Sequence, residues 1–185
     1  MRGPQVLLRG ARIVLAVLLW GVGVATANPQ SKGATAATPY PPCSLLTKQE
    51  VLEALKATEA QGPDQPTTIE VEKVEEDLYP TGERVCHYSY NLVWGKEDKW
   101  NHLVRISYQR DPQALEELKR VKSSMGKPAS AVERLSDLGE EAYWVEAIRL
   151  YVWVKGGLLK IDNGVRANRK ELSILLAKRA LGRIR

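Results

Sequence analysis

Two cysteines and two histidines are the side chains in this sequence whose types best suit metal binding or nucleophilic chemistry. Cys43 lies in "PPCSLLTKQEV", Cys86 and His87 are neighbours in "RVCHYSY", and His102 follows in "WNHLVRI". Zinc sites pair ligands at short intervals, and redox sites of the thioredoxin type use Cys-x-x-Cys. Neither spacing occurs here, so a disulfide between Cys43 and Cys86 is the first interpretation, with free thiols and an irregular metal site as alternatives.

The first 27 residues are organised like a secretory signal peptide. Three arginines and no acidic residue occupy the first 12 positions, and an uncharged apolar run follows over residues 13–25. Ala25 and Ala27 suit the positions that signal peptidase reads before the cleaved bond. The apolar run is shorter than the roughly 20 residues of a membrane-spanning helix, although an uncleaved anchor is the alternative. We therefore expect cleavage after Ala27 and export.

Export bears directly on the two cysteines, because disulfides persist in oxidising compartments. A bridge between Cys43 and Cys86 would stabilise the fold by about 4 kcal/mol in the chain-entropy model. The Ala-, Thr- and Pro-rich stretch after the signal cannot bury enough apolar surface to fold. The predicted organisation is a signal peptide over 1–27, a disordered leader over 28–41 and a single domain over 42–185, in the periplasm or outside the cell.

The charge distribution argues against nucleic acid as a partner. The formal charge of +5 falls to +2 once the three signal arginines are removed. The remaining excess is concentrated near the C-terminus and is not spread as a nucleic-acid footprint would be. Its members in the last predicted helix are Lys178, Arg179, Arg183 and Arg185. These cations are either solvated surface charges that interact favourably with the helix macrodipole, or they meet a membrane or an acidic partner. We expect no nucleic-acid binding, and no membrane association beyond an uncleaved signal.

No catalytic set is recognisable in the sequence. None of the serines stands in Gly-x-Ser-x-Gly, and the acidic run at 75–77 lacks the spaced acids of a cation-binding loop. His87 and His102 are expected on opposite faces of a hairpin, which keeps them apart. We predict no catalytic residue, no metal ligand and no cofactor, and a binding module more readily than an enzyme.

Aromatic side chains supply the candidate ligand-binding residues. The chain has seven tyrosines and five tryptophans but no phenylalanine. Arg149, Tyr151, Trp153 and Lys155 alternate along one predicted strand and therefore share a face. Together with His87 they form a candidate ligand platform, since Tyr and Trp carry polar groups suited to half-exposed surfaces. The alternative is that this face lies under a helix, with both rings in the core.

The elements that would position these residues are indicated in the first half by a helix start and a hairpin. Thr47 and Glu50 have the spacing of a capping box. The stretches "RVCHYSYNLVW" and "WNHLVRISYQR" alternate around the turn "GKEDK", which predicts a hairpin in which Trp94 faces Trp100. In that hairpin Cys86 points to the core.

The second half also begins with a helix, which Asp111 caps and Pro112 opens. Its predicted apolar stripe is Leu115, Leu118, Val121 and Met125. A second meander follows, with Gly156-Gly157 as the expected two-residue turn. The last helix is expected to start at Asn168. Its predicted apolar stripe is Leu172, Leu176, Ala180 and Ile184.

These elements predict an α+β fold in the order α-β-β-β-α-β-β-β-α. We expect an antiparallel sheet of about five to six strands, three helices packed on one face of it, and one disulfide. The least distinct of these strands lies in "PTTIEVEKVEED".

The motifs "CSLLTKQEVLEAL", "CHY", "LGEEAYW" and "LAKRAL" together resemble a group of small secreted or lipoprotein domains of bacteria. The resemblance covers nearly all of 42–185 and rests chiefly on the first motif, Cys-x-Leu-Leu-Thr-x-x-Glu-Val. It implies a disulfide-bonded α+β domain exported by a bacterium, in a group mostly of unknown function, and it transfers no catalytic residues. The chain departs from the lipoprotein members because no lipid-bearing cysteine follows its signal.

The function predicted from the sequence is that of an exported bacterial, non-catalytic module. We expect it to bind a small ligand or a protein partner of the cell envelope through its sheet face. The alternatives are an envelope-acting enzyme whose site is dispersed in the sequence, and a structural or assembly factor.

Overall fold

The computed structural model describes residues 40–59, 65–96, 98–127, 131–146, 149–164 and 169–184. The helices in these ranges are α1 (Lys48–Glu59), α2 (Pro112–Ser124) and α3 (Arg169–Leu181), and a short 3₁₀ turn, Pro42–Ser44, precedes α1. The strands are β1 (Thr68–Leu78), β2 (Arg84–Trp94), β3 (Asp98–Gln109), β4 (Val132–Leu135), β5 (Glu141–Val145), β6 (Arg149–Val154) and β7 (Gly157–Asp162). The predicted signal peptide, the predicted leader up to residue 39, Asn168 and Arg185 lie outside the described residues.

The strands form one antiparallel sheet in the order β1-β2-β3-β7-β6-β5-β4. The α+β class and the antiparallel pairing are confirmed, but the described part of the chain has seven strands and not five to six. The prediction missed β4, which is four residues long with Glu133 and Arg134 at its centre. So short a segment shows no alternation, and its place in the sheet comes from pairing with β5. Two meanders, β1–β3 and β4–β7, join where β3 pairs with β7.

The helices cover both faces of the sheet, which corrects the prediction that they share one. The core under α1 and α3 includes Leu150 and Leu176, whereas Tyr151 belongs to a second core under α2. Because neighbouring side chains of a strand point to opposite faces, Leu150 and Tyr151 require cover on both sides. The near-continuous apolar sequences of β6 and β7 are typical of strands buried on two faces.

The apolar face of α2 is turned relative to the prediction. Leu118 and Val121 are buried as expected, together with Ala114, but Leu115 is 40% exposed and Met125 39%. Asp111 caps the helix as predicted and accepts a hydrogen bond from the Ala114 amide at 2.8 Å. In α3 the predicted stripe residues Leu172, Leu176 and Ala180 are buried as expected; Ile184 is also buried but lies beyond the end of the helix.

In the β2–β3 hairpin the side chains lie on the predicted faces, but the two strands pair in a different register. Trp94 pairs with Asp98, and Leu92 pairs with Trp100, so the register differs by two residues from the predicted one. A shift of two preserves the facing of every side chain, because strands have a period of two. The two tryptophans are diagonal neighbours, with ring centroids 6.4 Å apart.

The turn between β6 and β7 lies one residue earlier than predicted. Lys155 and Gly156 are its central residues, both with positive φ (51° and 70°), and Val154 pairs with Gly157. Gly157 is therefore a strand residue. A Cβ there would lie 2.6 Å from the Tyr108 ring, so close packing and not turn geometry excludes a side chain at this position.

The start of α1 is fastened to both β2 and α3. The disulfide between Cys43 and Cys86 is confirmed, with an S–S distance of 2.01 Å. The capping box is also present: the Thr47 amide donates to the Glu50 carboxylate at 2.7 Å, and the Glu50 amide donates to the Thr47 hydroxyl at 3.2 Å. Arg183 donates to both oxygens of Glu50, at 2.8 and 2.9 Å. The terminal cation predicted as a surface charge therefore has a structural partner.

Candidate functional site

A cleft of about 590 Å³ lies between α2 and the sheet face that α2 partly covers. Its charged lining residues are Glu83, Glu116, Glu117, Arg120, Arg149 and Lys160. A cavity of about 40 Å³ adjoins it and shares Glu83, Arg149 and Lys160 with it. Helix α2 packs its apolar residues on β5, β6 and β7, so the cleft opens toward the polar part of the same face on β3 and β7.

Lys160 of β7 lies on the floor of the cleft between two carboxylates. Its side chain is only 5% exposed, and Nζ lies 2.7 Å from Glu83 and 2.9 Å from Glu117. Ser107, its cross-strand neighbour in β3, donates a hydrogen bond to the same Glu83 carboxylate at 2.5 Å. We name Glu83, Lys160 and Glu117 the lysine cluster. With one positive and two negative side chains, it carries a net charge of −1.

A second cluster lies in the next row along the same strands. Arg105 of β3 pairs with Asp162 of β7, and Arg149 of β6 lies on the other side of Asp162. The two guanidinium groups reach the Asp162 carboxylate at 3.2 and 3.9 Å. Their Nε atoms are buried and have no hydrogen-bond partner in the described part of the chain. We name Arg105, Asp162 and Arg149 the arginine cluster; it carries a net charge of +1.

Tyr151 connects the lysine cluster to the core under α2. Its ring is 7% exposed and packs in that core, while its hydroxyl forms a hydrogen bond with Glu117. Burial raises the pKa of Tyr151 to about 12. The hydroxyl therefore remains protonated at neutral pH and can act as a donor to the carboxylate.

The arrangement is suited to binding charged groups rather than to nucleophilic catalysis. The Lys160 ammonium is directed at two carboxylates and has no lone pair with which to take the proton of Ser107. The Ser107 hydroxyl donates to the Glu83 carboxylate, which is itself engaged in an ion pair with Lys160. Among the described residues, no group of three or more His, Cys, Asp or Glu side chains converges to hold a metal ion.

The predicted ligand-binding residues are placed apart from one another. Arg149 lies in the cleft, but Tyr151 is buried beneath α2 and Trp153 packs half-buried at the margin of the same core. Lys155 is exposed in the β6–β7 turn. His87 lies on the same sheet face as Arg149, three strands away, which is about 14 Å. Tyr151 thus has the core position that the sequence left open as the alternative, whereas Trp153 is only partly buried.

His87 has its own polar neighbours at the end of β1. Its Nε2 atom lies 3.4 Å from the Tyr79 hydroxyl and 3.5 Å from the Asp77 carboxylate. Tyr79 lines the smaller cavity, so this histidine borders the site without lining the main cleft. The structure therefore brings only Arg149, of the five predicted residues, into the cleft.

Sequence reasoning missed five of the six residues of the two clusters. The five missed residues come from β3, β7, α2 and the turn before β2, so no local spacing unites them. One signal was present: Lys160 interrupts the apolar run "GLLKI" of a strand that is buried on both faces. A lysine at such a position requires a carboxylate partner, because an unpaired buried ammonium is costly.

No protein-family model, no curated protein and no solved structure gives a significant match to this chain. Among the described residues, no helix is both long enough and apolar enough to cross a membrane. The resemblance to secreted and lipoprotein domains of bacteria remains a prediction from the motifs.

Proposed function

We propose that this chain is an exported, non-catalytic module that binds a small charged ligand in the cleft between α2 and the sheet. The observation that carries the proposal is the cleft itself. Its volume of about 590 Å³ falls within the range of roughly 300–1,000 Å³ that is usual for small-molecule sites.

The lining favours a small charged ligand over a protein surface. Protein interfaces use apolar and aromatic anchors at their centres. Here most of the residues that line the cleft are charged, and Tyr151, which contacts Glu117 of the cleft, is already buried by the protein's own helix. A ligand with charged groups would replace lost water contacts with ion pairs. A protein partner of the envelope is the competing occupant.

Export to the bacterial periplasm or beyond is part of the proposal. The disulfide between Cys43 and Cys86 supports it, because such bridges are rare in reducing compartments. The predicted signal peptide supports it independently.

The first experiment is native mass spectrometry of the protein exported to a bacterial periplasm and purified without reductant. We expect an adduct of small-molecule mass. In parallel, melting temperatures are measured with panels of amino acids, dipeptides, sugars, small carboxylates and phosphate esters. A ligand at about 100 times its Kd stabilises the folded state by about 2.7 kcal/mol, which is a shift of several degrees.

Two tryptophan variants on α2 locate the binding. Gln113→Trp places a large side chain in the cleft and should abolish both the adduct and the thermal shift. Leu115→Trp is the matched control, because Leu115 is exposed on the same helix outside the cleft lining and should retain both. Absence of any adduct and of any thermal shift across the panels would overturn the proposed function and favour a protein partner.

A further inference from the structure

We propose that the ligand of this cleft is a zwitterion of dipeptide length, with its ammonium group on the lysine cluster and its carboxylate on the arginine cluster. The inference rests on the proposed function and adds the chemical class of the ligand. It follows from the residual charges of the two clusters, their donors and acceptors, and the distance between them.

The residual charges are opposite and equal. The lysine cluster has one carboxylate more than it can neutralise, and the arginine cluster has one guanidinium more than its aspartate balances. Glu116 and Arg120 at the rim add one charge of each sign and leave the balance unchanged. A simple anion or cation would match only one cluster, whereas a ligand with both signs matches both.

The hydrogen-bonding groups of the two clusters fit a ligand with its ammonium group at the lysine cluster and its carboxylate at the arginine cluster. The side chains of Arg105 and Arg149 remain 41% and 31% exposed, and a guanidinium suits the two oxygens of a carboxylate. On the other side, Glu83 and Glu117 are carboxylates that share a single lysine. Their remaining lone pairs can accept the three donors of an ammonium group.

The spacing selects the length of the ligand. Along β3 and β7 the clusters are two residues apart on one face, Arg105 against Ser107 and Asp162 against Lys160. Two strand residues span about 7 Å. A single amino acid separates its ammonium from its carboxylate by only about 3 Å, whereas two extended residues separate them by about 7 Å.

The test compares one library of dipeptides in three forms: free, N-acetylated and C-amidated. Binding to the wild-type protein is measured by isothermal titration calorimetry. We expect free dipeptides to bind about ten- to a hundredfold more tightly than either blocked form, because each block removes one charged contact. This comparison needs no protein variant and is unaffected by folding defects.

Charge variants then assign each end of the ligand. Glu117→Gln neutralises the lysine cluster, so free and N-acetylated dipeptides should bind this variant equally. Arg149→Met neutralises the arginine cluster and should remove the difference between free and C-amidated dipeptides. Lys178→Met removes an exposed cation from α3, away from the cleft, and should keep the wild-type preferences. Circular dichroism melting checks that each variant is folded.

Two negative results have different meanings. Equal binding of free and blocked dipeptides, or binding only of a sugar, a simple carboxylate or a phosphate ester, would overturn the zwitterion and leave the binding module intact. No binding by any compound class, in a folded protein without adduct, would overturn the proposed function and this inference together.

Discussion

Glu50 is the residue on which the contacts of the N-terminal segment converge. Its carboxylate accepts hydrogen bonds from the Thr47 amide and hydroxyl and from both terminal nitrogens of Arg183. Burial by itself would raise the pKa of Glu50, but the hydrogen bonds from Arg183 and Thr47 outweigh it and lower the pKa to about 2. The carboxylate thus closes a cap at one end of α1 and holds the end of α3.

Acid should weaken the protein through Glu50. Its pKa falls on folding from 4.5 to about 2, so the unfolded chain binds more protons between these values. The stabilisation is present above pH 4.5 and is lost as the pH falls through 2. We expect Glu50→Gln to cost about 1–2 kcal/mol at pH 7, less than the full pKa shift implies because water screens the partly exposed pair.

The measurement is urea unfolding from pH 7 to pH 2. The cost of Glu50→Gln should shrink as the pH falls, whereas Glu146→Gln, at an exposed position after β5, should cost little at any pH. A cost for Glu50→Gln that does not change with pH would contradict the assigned pKa.

Gly157 illustrates how packing can determine a residue that appears to belong to a turn. Gly157→Ala brings a methyl group against the buried ring of Tyr108 and should destabilise the fold by about 1–3 kcal/mol. Tyr108→Leu should relieve that clash, so the double variant should cost less than the sum of the single ones in thermal melts. Gly156→Ala meets no atom within 4 Å and should combine additively with Tyr108→Leu.

Residues with local signatures were predictable, and residues assembled from distant elements were not. The spacing of three positions between Thr47 and Glu50 was enough to predict the capping box. Because Cys43 and Cys86 are the only cysteines, their number was enough to predict the disulfide. Lys160 contacts Glu83 and Glu117, which lie 77 and 43 positions away, and no pattern within one segment specifies such contacts.

At the scale of elements, the sheet face to which each strand residue points was easier to predict than the register of the strands or the side of the sheet that a helix covers. The faces of β2 and β3 are correct although the hairpin register differs by two residues, because only an odd shift moves side chains to the other face. The side of the sheet that a helix covers is not encoded in this way. It depends on α2 crossing to the face opposite α1 and α3, which its own stripe does not reveal.

The face of α2 gives a prediction with an internal control. Leu118→Ala should cost about 2–5 kcal/mol, because the residue is buried against the aromatic core under the helix. Leu115→Ala should cost less than about 1 kcal/mol, because Leu115 is 40% exposed. Similar costs for both variants in urea unfolding would mean that the helix sits in the rotation predicted from sequence.

For the whole molecule, the disulfide is the covalent tie between the segment before α1 and the sheet. It closes a loop with a sequence separation of 43, which corresponds to about 4 kcal/mol in the chain-entropy model. The variant Cys43→Ala/Cys86→Ala should unfold at correspondingly lower urea concentration. A reductant should destabilise the wild-type protein but leave the stability of the double variant unchanged. If the double variant were as stable as the oxidised wild-type protein, noncovalent contacts would be sufficient to hold this segment on the sheet.

The pairing of β3 with β7 also has a consequence for the order of events during synthesis. Residues 105–109 of β3 pair with residues 158–162 of β7, so β3 waits about 50 residues for its second partner strand. Cys43, Cys86 and the first meander are complete long before then. The nascent protein therefore has an early half that can be locked covalently, with an open sheet edge, until the last strand arrives.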